Sequence, residues 1–509
     1  MARAVSRLTQ LSHIRPCPLE ATSRLPLSGT GQWIVGMWIS SFSLGAAGRL
    51  ARAALAALGL CALAGCLPAV DSPQPGIDIP TRYRASPALP DTALPQPDWW
   101  RSFRSPALDN LVTQANAANL DIAVAVAQIE QAEAQVGVAG APLFPSLDAG
   151  ASMERLRTSA TSSTRSIVKS QAGFDLTASY MVDFWGKNRS SLLAAEQNAA
   201  AARFNEDVVR LTAQVSVTTT YFQILAARDQ LAVARENLAA ASRILDLVKQ
   251  QFKAGTVSAL DVAQQEALVA TVRTSIPPLE ITLNQNLAAL AVLVGRVATL
   301  MPPPGGNLAQ IAIPRITPGL PSDLLRRRPD LKLAEAQLDA SGFNVEAARA
   351  AMLPQIQLTG TGGVQSAALQ ALFVPGAWYY TLAAGLTQPI FDGFLLESEL
   401  KQAKGVQLED LQAYRKAILS AFADVERALV SFEWAKKQVS LQIDVVKSSR
   451  LAFDIAETQL RGGTATLINV LQTQQSLFTA ENTLAQARLN RLLAATSLFQ
   501  ALGGGWTDR

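Results

Sequence analysis

Cysteine and histidine, the residues that most often carry nucleophilic or metal chemistry, are nearly missing from this 509-residue chain. The cysteines are Cys17, Cys61 and Cys66, and the one histidine is His13. Everything after Cys66 therefore lacks the residues of a Ser-His-Asp or Cys-His mechanism and of a Cys/His zinc site. Carboxylate chemistry stays formally open, but no Gly-rich phosphate loop and no acidic pair stands out from helix-surface charge. The sequence predicts no enzyme, no cofactor and no metal site.

The chemistry that the sequence does offer is acylation of Cys66. Arg49 and Arg52 precede the apolar run AALAALGLCALAG, which ends in Leu63-Ala64-Gly65-Cys66. This order is typical of an export signal, and the tetrapeptide resembles a bacterial lipobox, in which cleavage before the cysteine is followed by acylation. The run is shorter than the roughly 20 residues that span a bilayer. We expect residues 1–65 to be a signal peptide with an over-long N-terminal extension, Met37 being an alternative start. The competing interpretation is a plain secretory signal or a short anchor helix.

The basic charge of the chain is confined to this same segment. The whole chain has a formal net charge of +4, and residues 1–65 hold six arginines and one acid, Glu20. The remainder has 38 basic and 39 acidic residues, so nucleic acid is not an expected partner. A hydrophobic fraction of 49% with 17% charged residues also excludes general disorder.

One unit of about 200 residues occurs twice in the sequence. QFKAGTVSALDVAQ at 251–264 returns as QLRGGTATLINVLQ at 459–472, with identical residues displaced by 208 positions. Phe184-x-Gly186 likewise returns as Phe391-x-Gly393. The predicted segments are a lipid-anchored Pro-rich tether at 66–97, a first repeat at 98–300, a connector at 301–323, a second repeat at 324–502 and a C-terminal tail at 503–509.

Strict alternation of apolar and polar residues predicts one β-hairpin in each repeat. Ten alternating residues match a tilted membrane strand, although a half-buried sheet of a soluble protein alternates in the same way. The lipobox and the strand residues Phe174, Tyr180, Trp378 and Tyr380 favour the membrane. A sheet in lipid leaves no edge unpaired, and four strands are too few to close a barrel, so several subunits must share one. The strands are predicted at about 145–156, 172–184, 354–365 and 377–389.

Two long helical runs follow Gly186 and Gly393. Each has about 60 residues rich in Ala, Leu and Gln, which at roughly 1.5 Å per residue gives rods of 90 to 100 Å. Charged faces place these rods in water rather than in lipid. A soluble coiled-coil protein would explain the helices equally well but would leave the hairpins unexplained.

The two Gly-Thr turns are predicted to reverse the long rods at the end farthest from the strands. Gly255 and Gly463 can adopt the left-handed conformation that closes a helix C-terminus. Thr256 and Thr464 are nearby hydroxyls that we expect to cap the next helices. The return helices are predicted at 260–298 and 466–500.

Six motifs in this order resemble the outer-membrane efflux protein family, the TolC-like exit ducts, and within it the lipoprotein branch of NodT and OprM type. The resemblance covers about residues 97–506. The motifs are the LAGC lipobox, Trp99-Trp100 with Phe103, Asp183-Phe184-Trp185-Gly186, RRRPD at 326–330, the paired glycine turns, and Ala501-Leu502-Gly503-Gly504-Gly505-Trp506.

The resemblance implies a mixed α and β membrane protein formed by an internal duplication. Three chains, with four strands each, would share one twelve-stranded outer-membrane β-barrel that a long periplasmic α-helical barrel continues. It implies a passive duct for small molecules such as drugs or other toxic compounds in the outer membrane of a Gram-negative bacterium. Its partners would be a periplasmic adaptor and an inner-membrane pump of the resistance-nodulation-division type, with outer-membrane lipid around the barrel. The alternatives are the exit channel of a type I protein secretion system and, from another class, a structural envelope lipoprotein.

The resemblance also assigns functional roles to residues at the turns. The alternative is that the charged ones are ordinary solvated turn residues and the polar ones ordinary helix-surface residues. Well-known relatives guard the entrance with two aspartates three residues apart, whereas the matching positions here are Asn469 and Gln472. The expected adaptor contacts are Lys253, Gly255, Thr256, Arg461, Gly462, Gly463 and Thr464. The expected entrance gate consists of Asp261, Gln264, Asn469 and Gln472.

Overall fold

The computed structural model describes residues 76–84, 96–160, 165–316 and 319–507. These ranges form a helix-rich structure with one four-stranded sheet, which confirms the expected mixed fold with four strands per chain. The strands are β1 (Ser146–Arg157), β2 (Val168–Val182), β3 (Gln355–Ser366) and β4 (Trp378–Thr387). The α-helices of the first repeat are α1 (Pro106–Ala118), α2 (Leu120–Gly140), α3 (Lys187–Lys253), α4 (Ala259–Thr274) and α5 (Ile276–Leu293). Those that follow are α6 (Pro321–Arg327), α7 (Pro329–Ala351), α8 (Leu395–Arg461) and α9 (Leu467–Ala501).

The sheet is antiparallel throughout, in the order β1-β2-β3-β4. Each repeat supplies one hairpin, and the pairing of β2 with β3 joins the two hairpins into one sheet. Strand β4 stops two residues short of Pro389, because a proline has no N–H to donate to the ladder. Strands β1 and β4 are the edges of this sheet within one chain.

The strand register puts the apolar side chains of all four strands on one face. One row across the sheet runs Ala149, Leu176, Gly362, Tyr380, and the next row, on the opposite face, runs Asp148, Thr177, Thr361, Thr381. The apolar face is exposed in the single chain, with Met153 80% and Leu382 79% accessible. A sheet with one exposed apolar face and one polar face has the pattern of strands between lipid and water.

Helices α3 and α8 have 67 residues each, which at about 1.5 Å per residue makes each about 100 Å long. Both follow residues with positive φ: Gly186 at 76° directly precedes α3, and Gly393 at 70° and Phe394 at 66° precede α8. The aspartates of the two motifs explain these starts: Asp183 accepts hydrogen bonds from the N–H groups of residues 188 and 189, and Asp392 from those of 395 and 396. Among the described helices, none combines the length and the apolar character that a membrane span requires.

The prediction of one return helix over 260–298 is wrong. The first return segment is divided into α4 and α5, whereas α9 is continuous. Pro277 and Pro278 are the reason, because neither has an N–H for the carbonyl four residues earlier. Helix α5 then ends at Leu293, and Gly295 follows with φ of 68°.

The largest hydrophobic core lies near the middle of the long helices, away from both the sheet and the turns. Phe222 on α3 contacts Phe103 at 5.1 Å between ring centroids, and Phe499 on α9 lies 5.1 Å from Trp99. A second, smaller core surrounds Phe453 near the glycine turns. The two cores fix the positions of the rods relative to each other and so position the turns.

Candidate functional site at the helix turns

Both helix turns are closed in the same way. Gly255 and Gly463 have φ of 72° and 71°, the left-handed conformation expected of them. The N–H of Thr256 donates to the carbonyl of Gln251 at 3.0 Å, and the N–H of Thr464 donates to the carbonyl of Gln459 at 2.9 Å. Bonds of this span, together with those from the glycine N–H groups, form a Schellman motif at each C-terminus. The duplication therefore extends to the backbone hydrogen bonds of the turns.

The expectation that Thr256 and Thr464 cap the following helices is wrong. Their hydroxyls point backwards and donate to the carbonyls of Gln251 at 2.9 Å and Gln459 at 3.2 Å. Those carbonyls belong to the last turn of the preceding helix, where the carbonyl groups lack intrahelical partners. The threonines thus strengthen the C-terminal ends of α3 and α8.

The true N-caps of the return helices differ between the repeats. Ser258 caps α4 in a capping box: its hydroxyl accepts from the N–H of Asp261 at 3.3 Å, and its own N–H donates to the Asp261 carboxylate at 2.8 Å. Thr466 occupies the same place before α9 without a side-chain capping bond. The residue three positions after the cap also differs, being Asp261 in the first repeat and Asn469 in the second.

The four gate candidates divide into two pairs by exposure. Asp261 and Gln264 are half-buried, and the Asp261 carboxylate already accepts bonds from Ser258. Asn469 and Gln472 are exposed and lie three positions apart in the first turns of α9, so they share one face. Within one chain, the second pair is therefore the more exposed of the two.

The basic residues that precede the turns have different surroundings. Arg461 forms an ion pair with Glu457, one turn earlier, at 2.6 Å, and 61% of its side chain is exposed. Lys253 is exposed, and it has no ion pair within the described part of the chain. Lys253, Gly255, Thr256, Arg461, Gly462, Gly463 and Thr464 are all exposed, so the seven expected adaptor contacts form an open surface of one chain.

A layer of buried glutamines behind the turns was not predicted from the sequence. Gln265 on α4 is fully buried, and its amide donates to the carbonyl of Ala241 on α3 at 2.8 Å. Gln474 on α9 is 2% exposed and donates to the side-chain oxygen of Asn237 on α3 at 3.0 Å. Nothing in the sequence marks these two glutamines, because exposed glutamines are common on the same helices.

Three consecutive residues of α3 connect to three other helices at this level. Arg235 pairs with Glu280 on α5 at 3.0 Å, Glu236 lies 3.9 Å from Arg450 on α8, and Asn237 accepts the Gln474 bond from α9. The same Arg450 also forms a close ion pair with Glu481 on α9. Burial raises the pKa of Glu481 above its usual value, and the arginine opposes part of that shift. The two repeats are therefore joined by polar bonds as well as by apolar packing.

The RRRPD motif lies at the middle of the rods, far along the chain from the turns. The Arg328 guanidinium pairs with Asp330 at 2.7 Å and with Asp424 on α8 at 3.4 Å, and it donates to the carbonyl of Ala501 at 3.3 Å. It therefore connects the start of α7, the middle of α8 and the end of α9. Cys66, the expected lipidation site, lies outside the described residues. No group of three or more potential metal ligands occurs among the residues that the structure describes.

Comparison with known proteins identifies the chain's family. The family model "Outer membrane efflux protein" matches residues 111–296 and 320–504, one match in each repeat. The pyoverdine export outer membrane protein OpmQ of Pseudomonas putida is 39% identical over 443 residues, which cover 85% of this chain and 93% of the relative. OpmQ of Pseudomonas aeruginosa is 37% identical over 466 residues, 89% of this chain and 98% of the relative.

A solved structure shows the same fold. The outer-membrane channel OprN superposes with a TM-score of 0.81 at 24% identity, covering 86% of this chain and all of the other. This chain and OprN therefore share one fold. With a family model that matches both repeats and relatives that match over most of their length, this chain belongs to the outer membrane efflux protein family.

Proposed function

We propose that this protein is the passive outer-membrane exit duct of a tripartite efflux system. The observation that carries the proposal is the continuity of the chain's two parts: a sheet with an exposed apolar face leads directly into two helices of about 100 Å. Such helices are long enough to reach far into the aqueous compartment below a membrane-embedded sheet. In this proposal the duct is passive, and an inner-membrane pump supplies the energy.

The duct is a homotrimer in this proposal. The reason is that corresponding helices of the two repeats are buried to different extents within one chain. Helix α7 has ten buried residues, whereas its counterpart α2 in the first repeat has two. Helix α7 is covered by α3, the long helix of the other repeat. By the same rule α2 would be covered by α8 of a second copy, whose first 16 residues contain no buried residue before Leu411. A head-to-tail contact of this kind closes into a ring.

The sheet edges support the same arrangement. Within the chain, β2 of the first repeat pairs with β3 of the second. The counterparts of these strands are β4 and β1, the two edges. Pairing of β4 with β1 of a second copy would repeat the internal contact and leave no edge unpaired in lipid. Twelve strands from three copies would then enclose the channel.

The remaining partners meet the duct at its two ends. The periplasmic adaptor contacts the exposed Lys253 and Arg461 turns, and Asn469 and Gln472 narrow the entrance beside them. At the other end, acylated Cys66 adds a lipid anchor to the membrane-embedded barrel. The two repeats, 98–300 and 324–502, are the units that we propose were duplicated.

Small molecules are the proposed cargo. Two relatives are named for export of pyoverdine, so a secreted molecule of that kind is the first substrate to test beside drugs and other toxic compounds. A type I protein secretion channel would use the same fold with a different pump. A structural lipoprotein would not conduct ions at all.

The test combines assembly, conductance and export. Native mass spectrometry of the detergent-extracted protein should give three times the mature chain mass, and the purified protein should conduct ions across a planar bilayer. Deletion of the gene should raise susceptibility to toxic small molecules, or lower the amount of a secreted one, without changing protein secretion. A stable monomer, or a trimer that does not conduct, would refute the proposal.

Cys66 needs its own variant. Cys66→Ala should abolish incorporation of radiolabelled palmitate, because the thiol is the acylation site. Label that persists in this variant would show that the lipid lies elsewhere. Trimer abundance in the outer membrane should be followed in parallel, because the barrel itself also holds the protein there.

A further inference from the structure

Asp175 stands near the middle of β2 with a glycine beside it on each neighbouring strand. Its register partners are Gly150 on β1 and Gly363 on β3. A Cβ atom on residue 150 would lie 3.2 Å from the Asp175 Oδ1, and a Cβ on residue 363 would lie 2.8 Å from the Asp175 Cα. Both distances are tighter than ordinary contacts, so larger residues at either position would disturb Asp175. Gly150 leaves room for the carboxylate itself, and Gly363 leaves room for the backbone of β2 at Phe174 and Asp175.

One hydrogen bond, from the Thr177 hydroxyl, holds this carboxylate on the polar face of the sheet. The Thr177 hydroxyl donates a hydrogen bond to the Asp175 Oδ2 at 3.2 Å. The same hydroxyl lies 3.1 Å from the hydroxyl of Thr361 on β3. These three residues lie on the face opposite to the exposed apolar residues. No ion pair to Asp175 occurs in the described part of the chain. The negative charge at this position is therefore fixed in place and is not neutralised by a nearby base.

The same face has few other charges. The polar sides of the four strands carry three acidic residues and one basic residue, a net charge of −2. They are Asp148, Glu154, Asp175 and Lys169. Three copies of this face around one lumen would triple that charge while water fills the space between them.

We propose that Asp175 selects charge in the duct: its three copies form a ring of carboxylates in the barrel wall that favours the passage of small cations over small anions. This proposal rests on the proposed function, because the polar face lines a channel only if the sheet forms a barrel. Rings of acidic side chains attract cations and repel anions, and low-dielectric walls focus their field into the lumen. The effect should be largest in dilute salt, because the Debye length is about 30 Å at 0.01 M and about 3 Å at 1 M.

The experiment measures reversal potentials of the purified full-length protein in planar bilayers under a KCl gradient. The wild type should prefer K⁺ over Cl⁻, most strongly at low salt. Asp175→Asn keeps the shape of the side chain but lowers the net charge of the face from −2 to −1, so it should remove on the order of half of the logarithm of the permeability ratio. Asp175→Glu keeps the charge and should retain the preference.

The matched control removes a carboxylate elsewhere. Asp78 is exposed in segment 76–84, outside the sheet, so Asp78→Asn should leave the reversal potential unchanged. A second variant covers the case in which Asp175→Asn fails to assemble. Thr361→Lys places an ammonium next to Thr177 and within reach of Asp175, and it should lower the K⁺ preference by a similar amount.

The outcomes separate this inference from the proposed function. A wild-type protein that does not conduct contradicts the duct itself. Normal conductance with no cation preference in the wild type, or with an unchanged preference in both Asp175→Asn and Thr361→Lys, overturns the role of Asp175. A preference that falls in these variants and persists in Asp175→Glu and Asp78→Asn establishes it.

Discussion

Gly503 and Arg327 meet so closely that a Cβ atom on residue 503 would lie 2.1 Å from the carbonyl oxygen of Arg327. Gly503 also has φ of 84°, a backbone conformation that residues other than glycine rarely adopt. The contact brings the C-terminal LGGGW motif against the RRRPD motif that begins the second repeat. The two motifs are therefore parts of one joint at the middle of the rods.

Gly503→Ala should destabilise this joint by about 3 kcal/mol or more, because it adds both backbone strain and a backbone clash. Thermal unfolding of the detergent-solubilised protein, followed by circular dichroism, measures the effect. Gly376→Ala is the control, since residue 376 lies in the loop between β3 and β4 with nothing within 4 Å of the added atom. That change should be neutral or slightly stabilising. Equal melting temperatures for the two variants would show that the close approach does not matter.

The register between copies can be derived from the register within one chain. Ala178 pairs with Gly360, and Ser179 pairs with Thr359. In the two hairpins, β4 corresponds to β2 and β1 corresponds to β3. If β4 of one copy pairs with β1 of a second copy in the same way, these pairs become Leu386 with Ala151 and Thr387 with Gly150. This pairing between copies keeps the apolar residues of both strands on the same face of the sheet.

A cysteine pair tests this register. Leu386→Cys with Ala151→Cys, or Thr387→Cys with Gly150→Cys, should give disulfide-linked oligomers up to the trimer on non-reducing gels, because directly opposite residues lie within disulfide distance. Leu386→Cys with Gly150→Cys is the control, as these side chains point to opposite faces. Cross-linking in the control but in neither test pair would mean that the copies meet in another register.

A half-buried carboxylate, Asp229, makes the stability of the region around the connector depend on pH. Asp229 on α3 accepts a hydrogen bond from the N–H of Leu308 at 3.2 Å, and burial raises its pKa above the usual value. The folded state therefore binds the proton more tightly than the unfolded state. The stabilisation is present below the unfolded pKa and is lost as pH rises through the folded pKa.

Asp229→Asn should remove this loss of stability at higher pH, because asparagine does not titrate. The side-chain oxygen of asparagine can still accept the hydrogen bond from the N–H of Leu308. Melting temperatures should be compared at intervals from pH 4 to pH 7. The difference between variant and wild type should grow in favour of the variant as pH rises. Asp246→Asn, at an exposed position within α3 and away from its first turn, serves as the control. A difference that is constant across pH would contradict the buried-carboxylate explanation.

The features that could be predicted from the sequence are those fixed by short-range periodicity. Alternation of apolar and polar residues determines which face each strand residue occupies, so the four strands and both faces were predicted correctly. The positive φ of Gly255 and Gly463 follows from glycine's lack of a Cβ atom. These properties depend on residues only a few positions apart.

The features that the sequence does not predict correctly have three different causes. The hydroxyl of Thr256 can reach either the helix before it or the helix after it, and only the backbone geometry of the Schellman turn directs it to Gln251. Burial of Gln265 depends on how α4 packs against α3, which no local pattern records. The break in the first return helix lies at Pro277-Pro278, which the predicted helix over 260–298 does not take into account.

The last prediction concerns the turn between α8 and α9. Gly463 has φ of 71° and no heavy atom within 4 Å of an added Cβ, so a side chain there meets strain but no clash. Gly463→Val should distort the turn and the adaptor surface around it, because a β-branched residue is rarely found at positive φ. The middle core and the sheet lie far along the rods and should assemble normally. Efflux should be lost while the amount of trimer in the outer membrane stays near that of the wild type.

Gly462→Ala is the matched control one residue earlier. Gly462 has φ of −79°, which alanine adopts readily, and the first repeat already has Ala254 at the corresponding position. Drug susceptibility and trimer abundance should be measured together for both variants. Loss of efflux in Gly463→Val but not in Gly462→Ala would localise the requirement to the left-handed residue. Full resistance in Gly463→Val would mean that this turn is only a linker, and trimer loss would mean that its role is in assembly.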